Sequence, residues 1–307
     1  MPNLKDIKNR IASVENTKKI TRAMKMVAAA KVKKAENSVK AGRPFADELI
    51  ATFKKLLAAV SGYSSDGLKI KHPIENYPEL LKKRETKMAG LLVITSNKGL
   101  AGAYNANIVR SVLKQIEAHK EQGIKTKLFI VGQKGISALK RKTAELDVEI
   151  LQTYTQVANE VSAAGAECIA QDLAECFIAG TIDTIEIFTT KFKNMMSYSA
   201  QKWDLLPINL KKETAEASGL DPIMIFEPSE HSILQKLVPL YITNTIYQSL
   251  LEAQASELAS RMTAMSAASN NAEEMIRILT IDYNKARQWA ITQEILEVVS
   301  GADALKG

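Results

Sequence analysis

The loop with the strongest look of phosphate chemistry is Ser96-Asn97-Lys98-Gly99-Leu100-Ala101-Gly102-Ala103-Tyr104-Asn105. It follows an apolar run and enters a helical pattern, the place where backbone N–H groups often hold an anion. Its two glycines are spaced G-x-x-G, however. It is not G-x-G-x-x-G and it lacks G-K-[ST]. A tight strand-to-helix turn is the plainer reading. Cys168 and Cys176 are eight residues apart. On one helix that is about 12 Å of rise, too far to bridge, so both read as small buried hydrophobes in a reducing compartment. His72, His119 and His231 are scattered, and none joins a cysteine at metal-ligand spacing. No G-x-S-x-G or H-E-x-x-H occurs, and no histidine stands credibly with a serine or cysteine for nucleophilic attack. We therefore assign no catalytic residue, no cofactor and no metal.

Composition narrows the classes further. The chain has 307 residues, 46% hydrophobic and 24% charged, enough for a sizeable core. Aromatics at 6% argue against a carbohydrate site or a base-stacking surface. No apolar run reaches the roughly 18 residues of a membrane span. The N-terminus is basic and amphipathic without the apolar stretch of a secretory signal. Asp6 and Glu15 argue against an organelle transit segment, so Met1 is read as the start of the mature protein. Charge is unevenly spread. Residues 1–43 carry twelve basic and three acidic residues, a net of +9, whereas residues 230–307 carry six and nine, a net of −3. A basic arm suits nucleic acid, an anionic membrane or an acidic protein surface.

The elements that carry these residues follow from periodicity. Leu4, Ile7, Ile11, Val14, Thr21, Met24, Ala28, Val32, Ala35 and Val39 step by threes and fours, with charged residues in the slots at Lys18 and Lys25. That is a narrow coiled-coil seam. Gly42-Arg43-Pro44 marks a candidate kink, after which Leu49, Phe53, Leu56, Leu57 and Val60 resume the pattern. Some 55 helical residues extend about 80 Å. Residues 61–87 are a polar connection with at most a short helix near Glu79–Arg84. From Met88 the period changes. We expect strands at Met88–Thr95, Lys127–Val131, Val148–Thr153 and Thr184–Thr190. Helices are expected at Asn105–Glu121, Lys134–Lys142 and Glu160–Ile178. Met195–Leu206 reads as an antiparallel return strand and Ile223–Phe226 as a last strand after the polar loop Lys211–Asp221. Pro228-Ser229 then opens a second long helix, kinked near Pro239. Its seam runs Leu237, Tyr241, Leu251, Ala255, Leu258, Met262, Met265, Ser269, Ala272, Ile276, Leu279, Tyr283, Ala286 and Ala290.

The predicted fold class is α/β: a Rossmann-like α/β domain inserted between two long N- and C-terminal helices that form an antiparallel coiled coil. Residues 1–60 would be the first shaft helix, 61–228 the inserted domain with its sheet from about 88, and 229–307 the second shaft helix. A narrow seam cannot stay in water, and a basic helix suits a mildly acidic partner.

Several segments now carry a resemblance. IKNRIASVENTKKITRAMKMVAAAKVKKA (Ile7–Ala35) and YNKARQWAITQEILEVVSGADA (Tyr283–Ala304) resemble the opening and closing helices of F-type ATP synthase gamma subunits. ITSNKGLAGAYN (Ile94–Asn105), TKFKNMMS (Thr190–Ser197) and ASELASRMTAMSAASNNAEEMI (Ala255–Ile276) resemble family segments in the same order. The resemblance implies a non-catalytic central-stalk rotor. It would stand in an alpha3-beta3 hexamer, with its inserted domain on the epsilon subunit and the membrane rotor c-ring. It implies membrane association only through that complex, at the cytoplasmic face of a bacterial cell membrane, and no nucleic-acid partner. At matching positions it places Met24 and Lys25 against an acidic lever loop of beta. It places Arg261, Arg287, Gln288, Thr292 and Glu294 in a polar catch on beta. Asn97 stands where the family often has Asp, and Trp289 where it has a small residue. The chain has no cysteine-bearing redox insertion of the chloroplast type. Two rival readings are a nucleotide-binding α/β enzyme with helical arms and a coiled-coil nucleic-acid adaptor. The arm lacks the interleaved aromatics and groove-reading motif the latter needs.

Overall fold

The computed structural model describes residues 4–60, 79–81, 84–146, 148–208 and 230–306. The elements in chain order are α1 (Leu4–Val60), a 3-10 turn (Glu79–Leu81), β1 (Met88–Ile94), α2 (Tyr104–Glu121), β2 (Lys125–Val131) and α3 (Gln133–Leu146). Then come β3 (Glu149–Tyr154), α4 (Ala163–Ile178), β4 (Thr184–Asn194), β5 (Ser197–Leu206) and α5 (Glu230–Lys306). The expected strand Ile223–Phe226, the loop before it and the Pro228-Ser229 helix start lie outside the described residues. By contact the chain forms two compact units, residues 31–260 and residues 1–30 with 261–307.

In the first unit the strands order β3-β2-β1-β4-β5. The first four run parallel and β5 returns antiparallel beside β4. A central parallel strand is buried on both faces, and so it reads as one apolar run. Leu92 and Ile94 of β1 face a core with Phe129, Ile187, Leu173 and Phe177. Leu91 and Val93 face the opposite one, with Ile108, Val112, Ile116 and Leu139. Helices α2 and α3 therefore cover one face. On the other, α4 is joined by the long helices, through Phe53 of α1 and Val238, Ile242, Ile246 and Leu250 of α5. Phe53 stacks on Tyr241 with ring centroids 5.0 Å apart.

Several local expectations change. β4 runs on to Asn194 and turns directly into β5, because the antiparallel ladder continues to Asn194 opposite Ser197. Helix α4 starts at Ala163 and not Glu160, since Ser162 is extended and its Oγ accepts from the Gly165 N–H at 3.1 Å. Helix α1 is continuous through Gly42-Arg43-Pro44, and α5 through Pro239, which leaves room for a bend at either proline but not for a break. The expected α5 seam residues Leu251 and Ala255 are buried and Leu258 is half-buried, but from 249 to 260 burial spreads well beyond that stripe. There Ser249, Glu252, Ser256, Glu257 and Ser260 are buried along with Leu250, Leu251, Ala253, Ala255 and Ala259. This stretch is enclosed nearly all round, by α1 at Val32, Ala35 and Val39 and by β4 at Phe192. Small residues make that closeness possible. A Cβ on Gly42 would lie 2.7 Å from Gln248 Oε1.

In the second unit the α1 stretch 4–30 and the α5 stretch 261–306 each keep the predicted stripe. Ile7, Thr21, Ala28, Met265 and Ala272 are buried, and Ile11, Val14, Met24, Ile276, Leu279, Tyr283, Ala286 and Ala290 are half-buried. Lys18 bridges Glu273 at 3.2 Å, while residues 6–10 share a groove with residues 279–289, so the two stretches run antiparallel. The seam shifts by one residue at Lys25, which is exposed while Met24 takes the inward place.

Candidate partner-binding surfaces

The Ser96–Asn105 loop spends its polar groups on the chain itself. Ser96 N–H donates to Asn105 Oδ1 at 3.0 Å, and Asn105 Nδ2 donates to Ser96 Oγ at 2.9 Å. Asn97 Oδ1 accepts the Gln133 N–H at 2.9 Å, capping the first turn of α3 where an anion would otherwise bind. Its Nδ2 donates to Thr155 O at 2.6 Å and Asn159 Oδ1 at 2.7 Å, tying three loops together. Ala101 O accepts from Ser260 Oγ at 2.6 Å, and that hydroxyl also meets Tyr198 OH at 2.9 Å. Leu100, at φ +62, completes the turn in the left-handed region. Helix α5 thus packs over the loop, and the geometry is that of a structural turn. It gives the nucleotide-enzyme reading no support.

Asn97 has a testable consequence. An aspartate keeps the cap but has no donor for Thr155 O or Asn159 Oδ1, and it sets a carboxylate oxygen against a carbonyl. Asn97→Asp is expected to lower stability at pH 7 by about 1 kcal/mol, read as a lower melting midpoint. An unchanged midpoint would show that these two bonds contribute nothing.

The other chemistry-bearing residues are placed individually. His119 is buried, with Nδ1 3.2 Å from Thr126 Oγ1 and Nε2 2.8 Å from the Gln115 amide. Burial pushes its pKa down, against the opposing pull of Glu186. Among the described residues, no group of three or more His, Cys, Asp or Glu is placed to hold a metal ion. Cys176 is half-buried, but Cys168 is exposed, contrary to expectation, because it lies on the outward part of α4. His72 lies outside the described residues, and no side-chain surroundings are described for His231.

The residues expected to meet a partner lie on the helices of the second unit. Lys25 is exposed near Arg22 and Met26, so α1 presents a ridge that is basic and apolar together. Arg261 is half-buried, whereas Arg287, Gln288, Thr292 and Glu294 are all exposed on α5. Arg287 and Glu294 are seven apart and share a face. Gln288 and Thr292 are one turn apart, and Thr292 Oγ1 donates back to Gln288 O at 2.9 Å. Among the described residues, the Arg287 guanidinium makes no hydrogen bond or ion pair. Trp289, 56% exposed, walls a groove of about 740 Å³ with Ile7, Arg10, Asp282, Lys285 and Ala286.

Sequence reasoning missed the apolar end of α5. From residue 291 to 302 every residue is exposed, on every side of the helix. These include Ile291, Ile295, Leu296, Val299 and, at 72% exposure, Val298. A signal was there: the seam stops at Ala290 while large aliphatics continue out of register. Apolar surface on this scale marks a contact with other molecules.

A Rossmann-like unit and an antiparallel helix pair with an uncovered apolar end define an assembly subunit whose surface is finished by partners. The comparisons agree. A family model described as ATP synthase matches residues 3–305. The ATP synthase gamma chain of Gloeothece citriformis is 40% identical, over 99% of this chain and 100% of the relative. That of Heliobacterium modesticaldum is 39% identical over the same shares. Among solved structures, a chain of the Tetrahymena thermophila mitochondrial ATP synthase central stalk/c-ring is 31% identical. That match covers 81% of this chain and 99% of that one, with a TM-score of 0.57. A chain of the Euglena gracilis mitochondrial ATP synthase, 16% identical, shares the fold over 98% of this chain and 94% of its own, with a TM-score of 0.66. This chain belongs to the ATP synthase gamma-chain family.

Proposed function

We propose that this chain is the rotating central stalk of an ATP synthase. It couples proton flow to the conformational cycle of catalytic sites carried by beta subunits. The supporting observation is the α5 end, fully exposed and carrying the uncovered aliphatics Ile291, Ile295, Leu296, Val298 and Val299, which call for an enclosing partner, next to a helix pair with a buried seam. One charge moving through 100 mV releases about 2.3 kcal/mol, so a few protons deliver on the order of 10 kcal/mol per step. That rivals the stability of a whole domain. A shaft under such load works by stabilising one partner conformation over another.

In this reading Met24 and Lys25 meet an acidic beta loop. Exposed lysine contacts are weak and screened, which suits a contact made and broken each turn. Arg287 supplies a forked pair to a beta carboxylate, with Gln288, Thr292, Glu294 and Arg261 completing the catch. The functional division is the helix of residues 1–60, the inserted domain of 61–228 and the helix of 229–307. The inserted domain would sit on the epsilon subunit and the c-ring. No helix among the described residues is long and apolar enough to cross a membrane. The chain would join the membrane through the complex, as a peripheral protein on the cytoplasmic face of a bacterial cell membrane. Copurification tests the assignment: one copy of this chain should elute with three alpha and three beta subunits. Elution alone, in the presence of both, would refute it.

A further inference from the structure

Strand β4 outruns its neighbour. Its pairing with β1 ends at Val93 opposite Phe188, yet β4 continues to Asn194. At Phe192 two side chains stand in for the missing strand. Glu252 of α5 accepts the Phe192 N–H through Oε2 at 3.0 Å. Arg43 of α1 donates from Nη2 to Phe192 O at 2.7 Å. The two side chains also meet each other, Arg43 Nε and Nη2 each lying 3.3 Å from Glu252 Oε1. Gln248 Nε2 adds a longer contact to the same oxygen at 3.4 Å. Glu252 is 3% exposed. A carboxylate so enclosed is tolerable only when its lone pairs are met, and here every contact is directional.

This node joins both long helices to the sheet through main-chain atoms of a strand. Elsewhere their contact with the sheet is mainly apolar, through Phe53, Val238, Ile242, Ile246 and Leu250, with neutral hydroxyl bonds from Thr189 to Ser249 O and between Tyr198 and Ser260 that reach α5 and not α1. Apolar packing resists separation but is non-directional and resists sliding poorly. Two charge-assisted bonds to one fixed residue of the strand, one from each helix, resist sliding and twist. We propose that Arg43, Glu252 and the Phe192 main chain form a torsional clamp that carries load between the sheet and the helix pair. This rests on the rotor reading. Arg43 and Glu252 are thereby positioning residues, with no contact to substrate.

The test uses the whole complex in sealed vesicles, measuring ATP hydrolysis and ATP-driven proton uptake side by side. The informative variant combines Arg43→Met with Glu252→Leu: the buried ion pair is exchanged for apolar residues of similar volume at little cost, and the unpaired Phe192 N–H and C=O lower the melting midpoint by an amount measured alongside. It removes both bonds to Phe192 while filling the space. Hydrolysis should stay within about twofold of the parent while protons moved per ATP fall about fivefold or more, since only directional bonds are lost. Arg43→Lys, which keeps one charged bond, should recover at least half of the uptake. Unchanged uptake per ATP would overturn the clamp. So would a parallel loss of hydrolysis and uptake that Arg43→Lys fails to relieve, since that marks a merely structural pair. Failure of the parent chain to assemble would instead strike the rotor reading beneath it.

Discussion

Gly132→Ala is expected to destabilise the α/β unit by more than about 3 kcal/mol, enough to unfold a marginal domain. Gly132 turns β2 into α3 at φ +94, a conformation L-residues rarely adopt. A Cβ there would sit 2.3 Å from Thr95 O, 2.7 Å from Thr95 C and 2.9 Å from Ser96 C, all main-chain atoms. They cannot swing aside. Thr95 is held by its own N–H to Val131 O at 2.8 Å, and its Oγ1 bonds the same carbonyl at 2.7 Å. Relief would require parting β1 from β2. Gly123→Ala is the control: φ is +73, but no atom lies within 4 Å of the added carbon. It should cost only the left-handed penalty, about 1–2 kcal/mol. Denaturant midpoints that coincide for the two variants would refute the steric account.

The second large effect is functional. Arg287→Ala combined with Gln288→Ala should reduce ATP-driven proton pumping about tenfold or more while the melting midpoint of the isolated chain barely moves. Both side chains are exposed, and surface substitutions usually stay within about 0.5 kcal/mol. If Arg287 forks onto a beta carboxylate, its loss strands that partner charge, which accounts for a penalty of about 2–5 kcal/mol at the contact. Normal pumping in this double variant would remove the catch assignment. A lowered melting midpoint would mean that these residues serve the helix and not a partner.

Much of the architecture was legible because burial on two faces and burial on one stripe leave different periods. Met88–Ile94 reads as a continuous apolar run, with alternate residues entering opposite cores. The three-four stepping of Ile7 to Ala28 and Met265 to Ala290 became the inward stripe. What failed to show is polar and non-local. Glu252 looks like any surface acid in SLLEAQ, because its partner Arg43 lies 209 positions away. Asn97 caps a helix 36 positions on, a bond no local pattern announces. Helix α5 from 249 to 260 hides its nearly all-round burial because its serines and glutamates read as surface residues, whereas Thr189 donates to Ser249 O and Phe192 N–H to Glu252 Oε2. The partner-facing residues were found by resemblance alone. In isolation an exposed Arg287 is indistinguishable from any solvated arginine.

The most direct measurement of the central claim is rotation. Met196, 89% exposed at the β4–β5 turn, offers a single labelling point once Cys168 is replaced by serine and Cys176 by alanine. Met196→Cys carrying a bead or fluorophore should, with immobilised alpha and beta subunits and ATP, turn in one sense in steps of about 120°, the spacing that three equivalent sites impose. A label that stays fixed, or only jitters without direction, while ATP is hydrolysed would contradict the account.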